Sequence, residues 1–163
     1  MYRDTIRYAV PFQAHAVATI LHRQMTPQVS PIRLIERSIF SSKLCFVEAL
    51  RQNQLISDAD NDILCKFYDW VSKLPIIQPN MIIYLRASPQ VCFERMQARN
   101  RTSEEHVTLS YLEQLHDLHE KWLMQTHEKI SRVPVIVFDC NKQWEDLKLH
   151  YESRLNEILS PTQ

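Results

Sequence analysis

Arginine recurs at Arg95, Arg99 and Arg101, with one helical turn between the first two and a single residue between the last two. A guanidinium is a planar fork that pairs two oxygens of one phosphate at once, so such a cluster suits phosphoryl chemistry. The same stretch reads equally well as a solvated helix end beside Glu104 and Glu105, where exposed ion pairs contribute little. Glu36 and Arg37 follow a short apolar run, Ile32 to Ile35. At the end of a strand they would face a ligand; otherwise they would pair with each other. Gln13 brings one amide acceptor and two donors, enough to meet the hydrogen-bonding edge of a pyrimidine. Phe12 and Phe46 offer flat apolar surface beside it. The alternative is a polar helix residue among core aromatics. His116 and His119 stand three apart and read as packing and hydrogen-bonding residues rather than metal ligands.

Bulk charge gives these groups no help. The 163 residues hold 19 Lys and Arg against 19 Asp and Glu, for a formal net charge of zero. No global field draws the chain to nucleic acid or to an anionic membrane. No apolar run approaches the ~18 residues of a membrane span, and Met1 runs at once into Tyr2, Arg3 and Asp4, unlike a signal peptide. Cys45, Cys65, Cys92 and Cys140 lie too far apart for CxxC metal pairs and read as buried free thiols of an intracellular protein. Glycine is absent, although ordinary usage of ~7% would supply about eleven. A GxxxxGK[ST] phosphate loop therefore cannot be formed from this chain.

The elements that must position these residues alternate in type. A helix is expected from about Pro11, carrying Phe12, Ala16, Ile20 and Leu21. Ile32 to Ile35 reads as a buried strand, Phe40 to Gln52 as a helix, and Ser57 as the cap of an amphipathic helix through Leu74 with Ile63, Phe67, Trp70, Val71 and Leu74 as its stripe. Pro75 stops it. Met81 to Leu85 is a second strand, and Ser88-Pro89 caps a helix through Arg95 and Arg99. A polar loop spans Asn100 to Thr108, a helix Leu109 to about Lys129, and a third strand Val133 to Phe138, with Asn141 capping the last helix. Trp70, Trp122 and Trp144 read as core or interface anchors. The class is α/β with a parallel sheet, in a single domain over 1–163.

Met1-Tyr2-Arg3-Asp4, Pro11-Phe12-Gln13, Glu36-Arg37-Ser38 and Tyr84-Leu85-Arg86-Ala87-Ser88-Pro89 occur in this order, followed by Glu94-Arg95, Arg99-Asn100-Arg101, Tyr111-Leu112 and His116-Asp117-Leu118-His119-Glu120-Lys121-Trp122-Leu123. This series resembles the deoxyribonucleoside kinase family over nearly the whole chain. The resemblance implies a parallel sheet with flanking helices of the P-loop nucleoside and nucleotide kinase type. It also implies that the family's first, central strand, its glycine-rich phosphate loop and its general-base glutamate precede the point where this sequence starts. The implied reaction takes a phosphoryl group from ATP, with Mg²⁺, to a deoxynucleoside 5′-hydroxyl, and ATP binding by this chain alone is not expected. By resemblance, Arg95, Arg99 and Arg101 form the lid over the phosphates, Arg37 holds the 5′ end of the substrate, and Glu36 helps place Mg²⁺. Gln13, Phe12 and Phe46 take the base. Tyr2 and Glu104 (or Glu105, one residue on) grip the sugar 3′-hydroxyl. Ala16, Ile20 and Ser42 fall where the family tunes base choice, and being small or uncharged they favour a pyrimidine. The implied partners are a deoxynucleoside and a second subunit, alike or related, and the implied compartment is cytoplasm or mitochondrion. A truncated, non-catalytic subunit paired with a complete kinase is the competing expectation.

Overall fold

A computed structural model describes residues 4–126 and 133–159. Helix α1 spans Thr5–Met25, and the Asp4 carboxylate caps it by accepting the Arg7 N–H at 3.1 Å. The start expected at Pro11 is therefore more than a turn late. Pro11 lies inside the helix, and the Asp4 cap sets the boundary. At the other end the Arg33 fork donates to the carbonyls of Arg23, Gln24 and Thr26 at 3.1, 3.0 and 2.6 Å. These bonds satisfy helix-end acceptors that no N–H of the helix can reach.

The strand expected over Ile32 to Ile35 is not formed. That segment has no regular secondary structure, and Leu34 is 78% exposed. Its Arg33 faces the end of α1, and no neighbouring strand among the described residues offers it a ladder.

Ser38 and Ser41 form a reciprocal capping box at 3.2 and 2.9 Å that opens α2 (Ile39–Ser41). The helix continues through a π turn, Ser42–Val47, into α3 (Glu48–Gln52). Ser57 caps α4 (Asp58–Val71) as expected, but the helix ends before Leu74. Its inner face is Leu64, Tyr68 and Val71, whereas Ile63 and Trp70, assigned to the stripe, are exposed. Both rows recur at helical spacing, and burial selects the row that meets α1.

Strands β1 (Ile82–Arg86) and β2 (Val135–Asp139) pair in parallel, Ile82 opposite Val135 and Arg86 opposite Asp139. Ser88 and Pro89 open α5 (Pro89–Arg99) as read from the sequence. Thr108 caps α6 (Leu109–Glu120), which runs into a second π turn, Lys121–Thr126. The chain closes with α7 (Trp144–Ser153) and α8 (Leu155–Leu159). Gln143, not Asn141, precedes α7. Asn141 instead accepts the Ser88 N–H and donates to Asp139, both at 2.8 Å, which ties the end of β2 to the start of α5.

Alternation along β2 feeds two cores. Val135 and Val137 pack with Tyr84, Cys45 and Leu118 on one face, while Ile136 and Phe138 pack with Cys140 and Leu147 on the other. A third core joins Val17 of α1 to Ile39, Leu64, Tyr68 and Val71. Each fully buried large side chain contributes about 1.5–3 kcal/mol. Cys45 and Cys140 are buried free thiols, but Cys65 and Cys92 are only half-buried. Burial pushes the Cys45 thiol up to about 12, which leaves it protonated and inert. Trp122 is in the core, whereas Trp70 and Trp144 are exposed. No described helix is long and apolar enough to cross a membrane.

Candidate active site

Two of the expected clusters meet along the helix that begins at Ile39. Gln13 is buried on α1, one face with Ala9 and Val17, and its Oε1 accepts the Tyr68 hydroxyl of α4 at 3.1 Å. Ser42, also buried, lies beside the same phenol. Ala16 and Ile20 are half-buried one and two turns on from Gln13. Phe12 differs: it is 45% exposed, because adjacent helical residues point about 100° apart.

One turn beyond Ser42, Phe46 carries the Arg37 guanidinium 4.5 Å above its ring. Arg37 has a φ of 61°, in the left-handed region, which costs a side-chain-bearing residue about 1–2 kcal/mol. A cation on an aromatic face returns ~0.5–1 kcal/mol of that. Glu36 is exposed and makes no hydrogen bond or ion pair among the described residues, so the simple Glu36–Arg37 pair is not formed. A free carboxylate suits Mg²⁺, which takes one or two protein carboxylates and leaves its other positions to water and phosphate. Among the described residues no group of three His, Cys, Asp or Glu could hold a metal.

Behind Phe46 lies a network that residue types alone did not disclose. The His119 ring stands edge-on to Phe46 at 6.3 Å and stacks on Tyr84 at 6.2 Å and 12°. Its Nδ1 lies 2.7 Å from the Leu115 carbonyl, and burial lowers its pKa. Tyr84 donates to Glu120 at 2.9 Å, and Arg86 grips the same carboxylate with two bonds of 2.8 and 2.7 Å. Burial raises the Glu120 carboxyl, but the bonds from Arg86 and Tyr84 outweigh it and hold the pKa below the ordinary value. Tyr84, Arg86 and Glu120 sit inside motifs quoted above, yet only the fold brings residues 34 and 36 positions apart together.

The arginine cluster stands apart. Asn100 ends α5 in the left-handed conformation, φ 49°. Arg99 then reaches Glu104 with two bonds of 2.9 and 2.7 Å, and Arg101 lies 3.7 Å from the same carboxylate. Arg95 donates to the Lys142 carbonyl at 3.3 Å. No hydrogen bond or ion pair among the described residues joins these arginines to Arg37 or Gln13. Glu105 is exposed, and Tyr2 lies outside the described residues. The guanidinium forks fit phosphate oxygens. With no glycine in the chain, a glycine-built phosphate cradle is not available from these residues.

A family model described as deoxynucleoside kinase matches residues 1–161. Human mitochondrial thymidine kinase 2 is 34% identical over 161 residues, covering 99% of this chain and 61% of that protein. Chicken deoxycytidine kinase 2 is 31% identical over 174 residues, covering 98% of this chain and 66% of the relative, and human deoxycytidine kinase is 28% identical over 172 residues, covering 97% and 65%. The chain thus spans less than two thirds of the length of these relatives.

Proposed function

This chain belongs to the deoxynucleoside kinase family, and on that premise we propose that it forms the nucleoside-reading and phosphate-closing part of an enzyme that moves the ATP γ-phosphoryl group to a deoxynucleoside 5′-hydroxyl. The observation that supports this reading is that Ser42, beside the Gln13–Tyr68 pair, and Phe46, beneath the Arg37 guanidinium, lie one turn apart on one helix. In the transfer the 5′-oxygen gives its proton to a general base, the glutamate that the resemblance implies, and bonds to phosphorus, and the bond from that phosphorus to the departing ADP oxygen breaks. Such chemistry is mostly positioning and charge stabilisation. Mg²⁺ would offset phosphate charge, with Glu36 as its carboxylate. Gln13 binds the base edge, with Phe46 beside it and Phe12 at the rim. Arg37 neutralises charge at the 5′ end. Arg99 and Arg101 leave Glu104 for the phosphoryl oxygens, while Arg95 anchors their helix. Glu104, once released, takes the sugar 3′-hydroxyl with Tyr2. Ala16, Ile20 and Ser42 leave uncharged space that favours a pyrimidine.

Since the chain has no glycine, these residues offer ATP no glycine-built phosphate cradle. Titration calorimetry tests the reading. It predicts heat with thymidine or deoxycytidine, none with ATP, and loss of nucleoside binding in Gln13→Leu. Nucleoside binding unaffected by Gln13→Leu would remove it.

A second reading rests on the outer row of α4. Ile63 is 63% and Trp70 59% exposed, and Phe67 stacks on Trp70 at 6.2 Å. Such a row suits a helix of a second, related kinase subunit, with this chain as a non-catalytic partner. Co-purification with a complete kinase supports it, and a monomer at all concentrations removes it.

A further inference from the structure

Tyr68 is 0% exposed, Gln13 3% and Ser42 5%, so three polar side chains meet in the core between α1, α4 and the π turn. The Tyr68 hydroxyl donates to Gln13 Oε1, while Gln13 Nε2 makes no hydrogen bond among the described residues. The Oε1 end of the amide therefore has a fixed partner, and the Nε2 end has none among the described residues. Resting on the reading that Gln13 meets the base, we propose that Tyr68 is a positioning residue that fixes which way the Gln13 amide faces, and thereby which pyrimidine the site accepts.

The chemistry is directional. Burial pushes the Tyr68 phenol up to about 12, and the Ser42 hydroxyl beside it works in the opposite sense, as a donor toward the phenolic oxygen does. A phenol that receives a proton from Ser42 has its own proton left for Gln13. Turning the amide over would set Nε2–H against that proton, donor against donor, and would leave buried groups unpaired. A free glutamine turns over at little cost, because its terminal torsion is broad and roughly two-fold.

Pyrimidines make the orientation matter. A 4-amino-2-oxo ring presents an acceptor at N3 and a donor at position 4. A 2,4-dioxo ring presents the reverse order, a donor at N3 and an acceptor at O4. One amide orientation matches one ring and opposes the other, and a site with unmatched polar groups rejects the wrong partner strongly.

The test measures dissociation constants for 2′-deoxycytidine and thymidine on the full-length protein and on its Tyr68→Phe, Ser42→Ala and Gln13→Leu forms. Tyr68→Phe keeps the ring that fills the core and deletes only the hydroxyl. The wild-type protein should separate the two nucleosides by about tenfold or more. The ratio should fall to within about threefold in Tyr68→Phe, with Ser42→Ala between them. A purely structural hydroxyl would weaken both nucleosides alike and leave the ratio unmoved; that result, or a wild-type ratio near one, overturns the proposal while Gln13 keeps its role. If Gln13→Leu leaves both constants unchanged, base reading by Gln13 fails, and this proposal fails with it.

Discussion

Glu104 holds Arg99 through both carboxylate oxygens and sits 3.7 Å from Arg101, so it competes with any phosphate for these forks. The Arg99 side chain is half exposed, and such pairs contribute only ~0.2–1 kcal/mol, a small barrier to exchange. Glu104→Gln should therefore tighten inorganic pyrophosphate binding about two- to fivefold, read by calorimetry and shrinking at high salt. Glu120 supplies a pH test. Its folded pKa is depressed by Arg86 and Tyr84 against the effect of burial. Its contribution is thus complete above the unfolded carboxylate pKa, about 4.3, and is lost as pH falls through the lower folded value. Urea unfolding from pH 3 to 7 should show a shallower acid limb in Glu120→Gln than in wild type. At this scale the sequence singles out groups whose type is unusual for their place, such as Gln13 and the arginines. It hid groups defined by partners: Tyr68 lies 55 positions from Gln13 and Arg86 lies 34 from Glu120. A tyrosine or a glutamate on a helix carries no local mark of such a bond.

Some element boundaries were legible from a local device, as at Ser57 and Ser88, whereas the equally local Asp4 cap of α1 was not read. Ser57 and Ser88-Pro89 sit at helix starts and bond only three residues ahead, so spacing suffices to find them. Ile32 to Ile35 was not legible, because a strand needs a neighbour and an apolar run says nothing about whether one is present. There the structure has Arg33 closing α1 with three bonds to carbonyl oxygens. Arg33→Ala should lower the unfolding free energy by about 1 kcal/mol, and Arg33→Lys should recover little of it, since one ammonium cannot copy a planar fork. Chemical denaturation measures both. The row on α4 shows the same limit in another form. Two apolar rows share one helix, and only packing against α1 decides that Leu64, Tyr68 and Val71 turn inward.

Across the molecule, two parallel strands are covered on both faces, by α6 with the first π turn on one side and α7 on the other. The α/β class and the parallel sense were readable from alternating elements, whereas only two of the three expected strands form among the described residues. Ile63 and Trp70 are exposed on the outer side of α4, with half-buried Phe67 beside Trp70. On the second-subunit reading proposed above, Trp70→Glu should shift sedimentation toward the monomer and leave the melting temperature nearly unchanged, because that side chain is already largely in water. The three tryptophans divide in a way that gives the protein its own optical reporter. Trp122 is 5% exposed and 6.4 Å from the His119 ring, whereas Trp70 and Trp144 are 59% and 64% exposed. Iodide should extinguish the emission of the outer pair and spare the inner indole, and the residual signal, blue-shifted by its dry surroundings, would register events around Phe46 and Arg37 without any added dye.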